Sequence, residues 1–182
     1  MRVCVEGNIG SGKSTALAEI TSLTVRQEPI KQWGTLLDLY YQDPATWSLA
    51  FNLKVLHSFH DTGRAQVIER SPGACRHVFG QLAYNDNHLS PAAWDVFKEY
   101  HDLLGWEPDV YVYIDTPPDV CFSRLQQRGR ECEAGITEEY LKRIEFQYQN
   151  FLKFTKVPVI RLDGLRDPAA LAQDVVNLFS RL

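Results

Sequence analysis

Apolar and polar positions along this chain change period repeatedly, and each change marks an element. Val3-Cys4-Val5 is a short β-favouring run, and Ser14 to Ile20 has helical character, so the pattern predicts a strand over 2–6 and a helix from the intervening loop to about Ser22. Leu23-Thr24-Val25-Arg26-Gln27 reads as a second strand, closed by Glu28-Pro29. Residues 30–44 are polar and punctuated by Gly34 and Pro44, with one short helical stretch near 36–40. From Ala45 to about Gly63, Leu49, Leu53, Leu56 and Phe59 recur at helical spacing. Ala65-Gln66-Val67-Ile68 is a third strand that delivers Glu69-Arg70-Ser71-Pro72. Helices are predicted over about 75–83 and 91–104, the second with Ser90 as N-cap and Pro91 at its first position.

Asp109 to Asp115 is the clearest strand, β-branched and aromatic, ended by Thr116-Pro117-Pro118. A helix over 119–128, a polar loop over 129–135, a long helix from a Thr137 cap to about Lys153, a strand over 157–162 and a helix over 168–182 complete the chain. Five strands alternating with helices predict an α/β three-layer sandwich around a parallel sheet, as one domain over 1–182. Ligands of such folds gather beyond the carboxyl ends of the strands, where residues 7–14, 28, 69–71 and 115–118 all fall.

The first of these stretches reads Gly7-Asn8-Ile9-Gly10-Ser11-Gly12-Lys13-Ser14, the G-x-x-x-x-G-K-S spacing of a P-loop. Set between a strand and a helix, with Thr15 following, the glycines let successive backbone N–H groups converge on an anion while the helix adds its positive end. Lys13 would reach the β- and γ-phosphates and the Ser14 hydroxyl would ligate Mg²⁺. The chain is therefore expected to bind a nucleoside triphosphate. No N-K-x-D guanine-reading motif occurs, which argues against a GTP-dependent switch.

The remaining bulk properties narrow the class further. A formal net charge of −4 supplies no basic excess for general nucleic-acid binding. No apolar run approaches the roughly 18 residues of a membrane span, and the expectation is a chain that enters its first strand without a signal peptide. Cys4, Cys75, Cys121 and Cys132 lack C-x-x-C or metal-ligand spacing and read as reduced thiols of an intracellular protein.

Several further motifs fall in a fixed order: Glu28-Pro29 with Trp33, Tyr41-x-Asp43-Pro44 with Trp47, Phe51-Asn52, Glu69-Arg70-Ser71, and Arg124-x-x-x-Arg128-Gly129-Arg130 with Glu133. Together with the P-loop, the chain resembles the deoxynucleoside kinase family almost end to end. That family includes insect multisubstrate deoxynucleoside kinase, mitochondrial thymidine kinase, and deoxycytidine and deoxyguanosine kinases, with herpesvirus thymidine kinases more distant. The resemblance implies that Glu28 is the general base for the sugar 5′-hydroxyl, that Arg70 holds this hydroxyl and the base carboxylate, and that Glu69 lies close to Mg²⁺. It makes Tyr41 and Glu133 the partners of the sugar 3′-hydroxyl, and Trp33 and Phe79 the walls around the base. Arg124, Arg128 and Arg130 become a lid, over about 124–135, that closes on the ATP phosphates. It also implies a homodimer and a place in nucleotide salvage, in the cytoplasm or in the host cytoplasm if the chain is viral.

One position departs from the family: Asn52 stands where a glutamine reads the base edge, on a stem shorter by about one C–C bond. Phe59 and Cys75 stand where deoxycytidine- and deoxyguanosine-preferring members carry an arginine–aspartate pair, with Val55 on the same side. The apolar set resembles the thymidine-accepting members. The expectation is a Mg²⁺-dependent transfer from ATP to the 5′-hydroxyl of a deoxynucleoside, thymidine and other pyrimidines foremost. The alternative is a nucleoside monophosphate kinase of the same fold, which would need another arginine near Arg70; Arg76 is the candidate.

Overall fold

Val3, Cys4 and Val5 are fully buried on both sides of their strand. That pattern places β1 (Val3–Glu6) in the middle of a parallel sheet, where both faces are covered. In the computed structural model, which describes residues 1–60, 62–130 and 133–180, β1 lies between β3 (Val67–Glu69) and β4 (Val110–Asp115). The edges are β2 (Val25–Arg26) and β5 (Val159–Asp163), giving the order β2-β3-β1-β4-β5 with every pair parallel.

Alternation along the strands divides the core in two. Val3, Val5, Val67, Val112 and Ile114 pack toward α1 (Lys13–Ala18) and α10 (Pro168–Ser180). Cys4, Ile68, Tyr111 and Tyr113 face the other layer, built largely from α8 (Pro118–Arg128) and α9 (Glu138–Phe154). The predicted α/β sandwich is thus the observed fold. A third apolar cluster, with Leu56, Trp94 and Phe97, joins α4 (Pro44–Ser58) to α7 (Pro91–Leu104).

Most differences from the sequence reading are boundaries. The first helix stops at Ala18 rather than Ser22, because Glu19 and Ile20 donate three residues back and tighten the last turn. The second strand keeps only two residues, and the third ends at Glu69. Residues 30–44 are more helical than their polarity suggests, forming α2 (Ile30–Trp33) and α3 (Thr35–Gln42) around a Gly34 at φ 51°. The helix expected over 45–63 closes at Ser58. The helix expected over 75–83 begins earlier, as α5 (Pro72–Ala74), widens into a π turn over Cys75–Gly80 and continues as α6 (Gln81–Asn85). The Ser90 and Thr137 caps are present, accepting from the Ala93 and Tyr140 N–H groups at 3.2 and 3.1 Å. Cys132 and the last two residues of the predicted final helix lie outside the described residues.

Candidate active site

The loop after β1 takes the shape its glycines permit. Gly10 has φ 79°, and a Cβ there would stand 2.6 Å from the Cys121 carbonyl oxygen. Gly12, at φ 97°, turns the chain into α1. Ile9, Gly10, Gly12, Lys13, Ser14 and Thr15 line a cavity of about 490 Å³. Gly7, Asn8 and Ser11 of the predicted nucleotide-binding set belong to the same loop but do not line this cavity. Asn8 donates to the Leu141 carbonyl at 2.8 Å, and the Ser11 carbonyl accepts from Thr116 and Arg124.

Lys13 folds back along the loop, donating to the Gly7 and Asn8 carbonyls at 3.0 and 2.7 Å. Burial and the nearby Arg70 charge lower it to about 8, against the opposing pull of Glu69, Glu28 and Glu6. The Ser14 hydroxyl donates to Glu69 Oε1 at 2.7 Å. A hydroxyl beside a carboxylate suits a magnesium ion, which takes one or two protein oxygens and completes its shell with water and phosphate. Among the described residues no cluster of three His, Cys, Asp or Glu could hold a metal alone, and a magnesium ion bound this way needs none.

Glu28 follows β2, and its backbone N–H donates to Glu69 Oε2 at 3.2 Å. Its carboxylate pairs with Arg70 Nε at 2.9 Å. Arg70 adopts φ 65°, a conformation that costs a bulky residue energy and persists only where surroundings over-determine it. Those surroundings are dense. Its N–H donates to the Val5 carbonyl, Nη1 donates to the Gly7 carbonyl and to Tyr148 Oη, and the guanidinium lies 4.7 Å above the Phe79 ring. Burial opposes the Arg70 charge, but Glu28, Tyr148, Glu6 and Glu69 outweigh it and hold the guanidinium protonated beyond its ordinary range.

A second cavity opens on the far side of this pair. It gathers Trp33, Tyr41, Asn52, Val55, Phe59, Cys75, Phe79 and Glu133, every sequence-predicted contact of the acceptor, beside Glu28 and Arg70. Sequence reasoning missed Ile30, Leu37, Tyr40 and Tyr140 in its walls, and it gave Phe51, quoted only within a motif, no role of its own. Tyr40 stacks on Phe51 at 4.6 Å and Trp33 meets that ring edge-on, so the aromatic wall is a cluster rather than two isolated plates. Asn52 donates to the Ser48 carbonyl at 2.8 Å, which commits its amide N–H to its own helix. The Trp33 indole N–H is buried and has no hydrogen-bond partner among the described residues. Five residues, Ile9, Glu28, Ile30, Arg70 and Glu133, border both cavities.

The three arginines of the expected lid are not a bare cationic cluster. Arg124 sits within α8 and donates to the Ser11 and Gly164 carbonyls at 3.2 and 3.1 Å. Arg128 and Arg130 pair with Glu133 at 2.5 and 3.4 Å, so the carboxylate expected at the sugar also neutralises the lid. Part of the expected lid, residues 131 and 132, lies outside the described residues. Arg76 lines neither of these cavities and pairs with Asp102.

Comparison with known proteins agrees with this geometry. The family model for deoxynucleoside kinases matches residues 3–180, and the chain belongs to that family. It is an enzyme of the transferase class, like the relatives it matches. A putative kinase protein of Invertebrate iridescent virus 3 is 30% identical, over 99% of this chain and 96% of its own length. A probable deoxycytidine kinase of Fowlpox virus is 26% identical over 90% of this chain and 78% of its own. Mitochondrial thymidine kinase 2 of Macaca fascicularis is 32% identical over 82% of this chain and 63% of its own.

Proposed function

We propose that this enzyme transfers the γ-phosphoryl group of ATP to the 5′-hydroxyl of a deoxynucleoside, with thymidine and other pyrimidine deoxynucleosides preferred. The observation that carries the reading is the Glu28–Arg70 pair at the border of the two cavities. A hydroxyl presented from the aromatic cavity would meet the Glu28 carboxylate, which accepts its proton as the oxygen attacks phosphorus. Arg70 holds that carboxylate and the incoming oxygen in place. Lys13, Arg128 and Arg130 balance the negative charge of the triphosphate end, and Arg124 fixes the loop beneath it. Ser14 and Glu69 would hold the Mg²⁺, which supplies charge neutralisation between phosphate oxygens.

The preference for thymidine rests on Val55, Phe59 and Cys75, an apolar side of the cavity suited to a 5-methyl group. Burial pushes the Cys75 thiol well up, so it adds no charge. Tyr41 and Glu133 would take the sugar 3′-hydroxyl. Arg76 is engaged with Asp102 outside the cavities, which speaks against a monophosphate acceptor. We also read the chain as a cytoplasmic homodimer. The exposed Val96, Tyr100 and Leu103 on one face of α7 support an apolar contact, and no described helix is long and apolar enough to cross a membrane.

One assay with ATP and Mg²⁺ tests the reading. Thymidine is expected to be phosphorylated at least as efficiently as deoxycytidine, purine deoxynucleosides poorly, and thymidylate not at all. Faster turnover of thymidylate would make the protein a monophosphate kinase. A preference for deoxycytidine or deoxyguanosine would remove the thymidine assignment.

A further inference from the structure

Glu6, the last residue of β1, is fully buried and lines neither cavity. Two hydrogen-bond chains converge on it. Arg70 Nη1 donates to Tyr148 Oη at 2.7 Å, and the Tyr148 hydroxyl donates to Glu6 Oε2 at 2.9 Å. The Ala74 N–H donates to Ser71 Oγ at 3.1 Å, and the Ser71 hydroxyl donates to Glu6 Oε1 at 2.5 Å. A guanidinium and a backbone N–H can only donate, which leaves each hydroxyl's own hydrogen free to point inward. In this arrangement Glu6 accepts on both oxygens. An ionised carboxylate does so, whereas a neutral acid or an amide presents hydrogen on one side and breaks one chain.

Both chains start within residues 70–74, where the Arg70 backbone is strained and its side chain meets Glu28. We propose that ionised Glu6, acting through Tyr148 and Ser71, is a positioning group that holds Arg70 against Glu28, so that phosphoryl transfer depends on a carboxylate touching neither substrate. The inference rests on the kinase reading above.

The charged groups facing Glu6 are Arg70, after β3, and Lys13 on α1. Its titratable neighbours are Tyr148 on α9, Tyr111 on β4, Cys4 on its own strand and Cys75 in the π turn, all raised well above their ordinary values by burial. Burial likewise raises Glu6 from 4.5 to about 7, although Arg70, Ser71, Tyr148 and Lys13 favour its charge. The folded protein therefore holds this proton more tightly than the unfolded chain does. The stability from Glu6 is fully present below pH 4.5 and is lost as pH rises through about 7, while the ionised form needed for positioning is gained over the same upper range.

The test compares the full-length native protein with Glu6→Gln and Tyr148→Phe, using ATP and thymidine or deoxycytidine. Each variant is expected to lose about tenfold or more in kcat with the KM for ATP changed less than about twofold. The acid limb of kcat near pH 7 in the native protein should disappear in Glu6→Gln. Should Glu6→Gln not fold, Tyr148→Phe decides alone, since it removes one hydroxyl and leaves β1 intact. A folded Tyr148→Phe protein with native kcat across pH 6–8 would overturn the inference, as would a loss that only matches the loss of folded protein. A native protein inactive on every deoxynucleoside would instead overturn the kinase reading.

Discussion

The two cavities meet at one ion pair, yet they are made differently. The donor side is mostly backbone and charge: a glycine loop, a helix end, Lys13, Ser14 with Glu69, and arginines from α8 onward. The acceptor side is mostly ring and side-chain surface, drawn from α2, α3, α4, the π turn and α9. The difference teaches where each can change. A triphosphate is bound by a rigid concentration of N–H groups and cations that tolerates little substitution. A base is read by the shape and polarity of walls that single side chains can alter.

The comparison breaks first at Lys13. Lys13→Ala should reduce phosphorylation of every acceptor by about 10³-fold or more, while circular dichroism stays native. A folded, active Lys13→Ala protein would place the charge compensation elsewhere. Next comes Glu28→Gln, which keeps the shape of the junction and removes its proton acceptor. A kcat loss of at least roughly 10²-fold is expected with thymidine affinity little changed, read by steady-state kinetics beside calorimetric binding.

Changes confined to the acceptor walls should instead alter preference. Phe59→Arg with Cys75→Asp should shift the ratio of kcat/KM toward deoxycytidine by about tenfold or more, because a buried ion pair is satisfied by only one base edge. Either change alone buries an unpartnered charge and should mainly damage the enzyme. An unchanged ratio in the active double variant would mean that these side chains do not read the base.

The smallest effect is a pH dependence confined to the donor side. Lys13 is lowered to about 8, so affinity for an ATP analogue should fall about tenfold between pH 7 and pH 9, whereas thymidine affinity changes little. A lysine at its ordinary 10.5 would keep nucleotide affinity flat over that range. Titration of the two ligands at matched ionic strength separates the outcomes.

The same contrast governs what could be read from the chain. Eight consecutive residues announce the donor loop, because its chemistry is local. The acceptor walls come from dispersed segments. Trp33, Tyr41, Asn52 and the others became legible through an ordered family of short motifs, while Tyr40 and Tyr140 looked like ordinary aromatic residues on helices. Sheet order and parallelism followed from alternation of strands and helices, but residues 30–44 misled because a polar segment can be helical when one face packs on a neighbour. Glu6 had one usable signal, an acid ending an otherwise apolar central strand. Tyr148 had none, since its spacing with Leu141, Ile144 and Leu152 matches that of any buried helix face.

The π turn over Cys75–Gly80 has a consequence for how such a pocket is lengthened or shortened. A π turn closes after more residues than an α turn, so it is the footprint of one extra residue carried inside a helix. Here Ser71, Cys75 and Phe79 all reach the acceptor cavity at intervals of four, the first as the extended N-cap and the other two from the wide turn. Excising one residue from this segment would leave a regular helix with its ladder restored. Because the wide turn absorbs the extra residue, the helix beyond it would keep its place, and with it the ion pair of Asp86 with Arg143 on α9. The pocket's floor is thus tied to a residue count, and a single-codon deletion between Cys75 and Phe79 should turn one of these side chains off the cavity wall while the sheet and the phosphate loop stay standing.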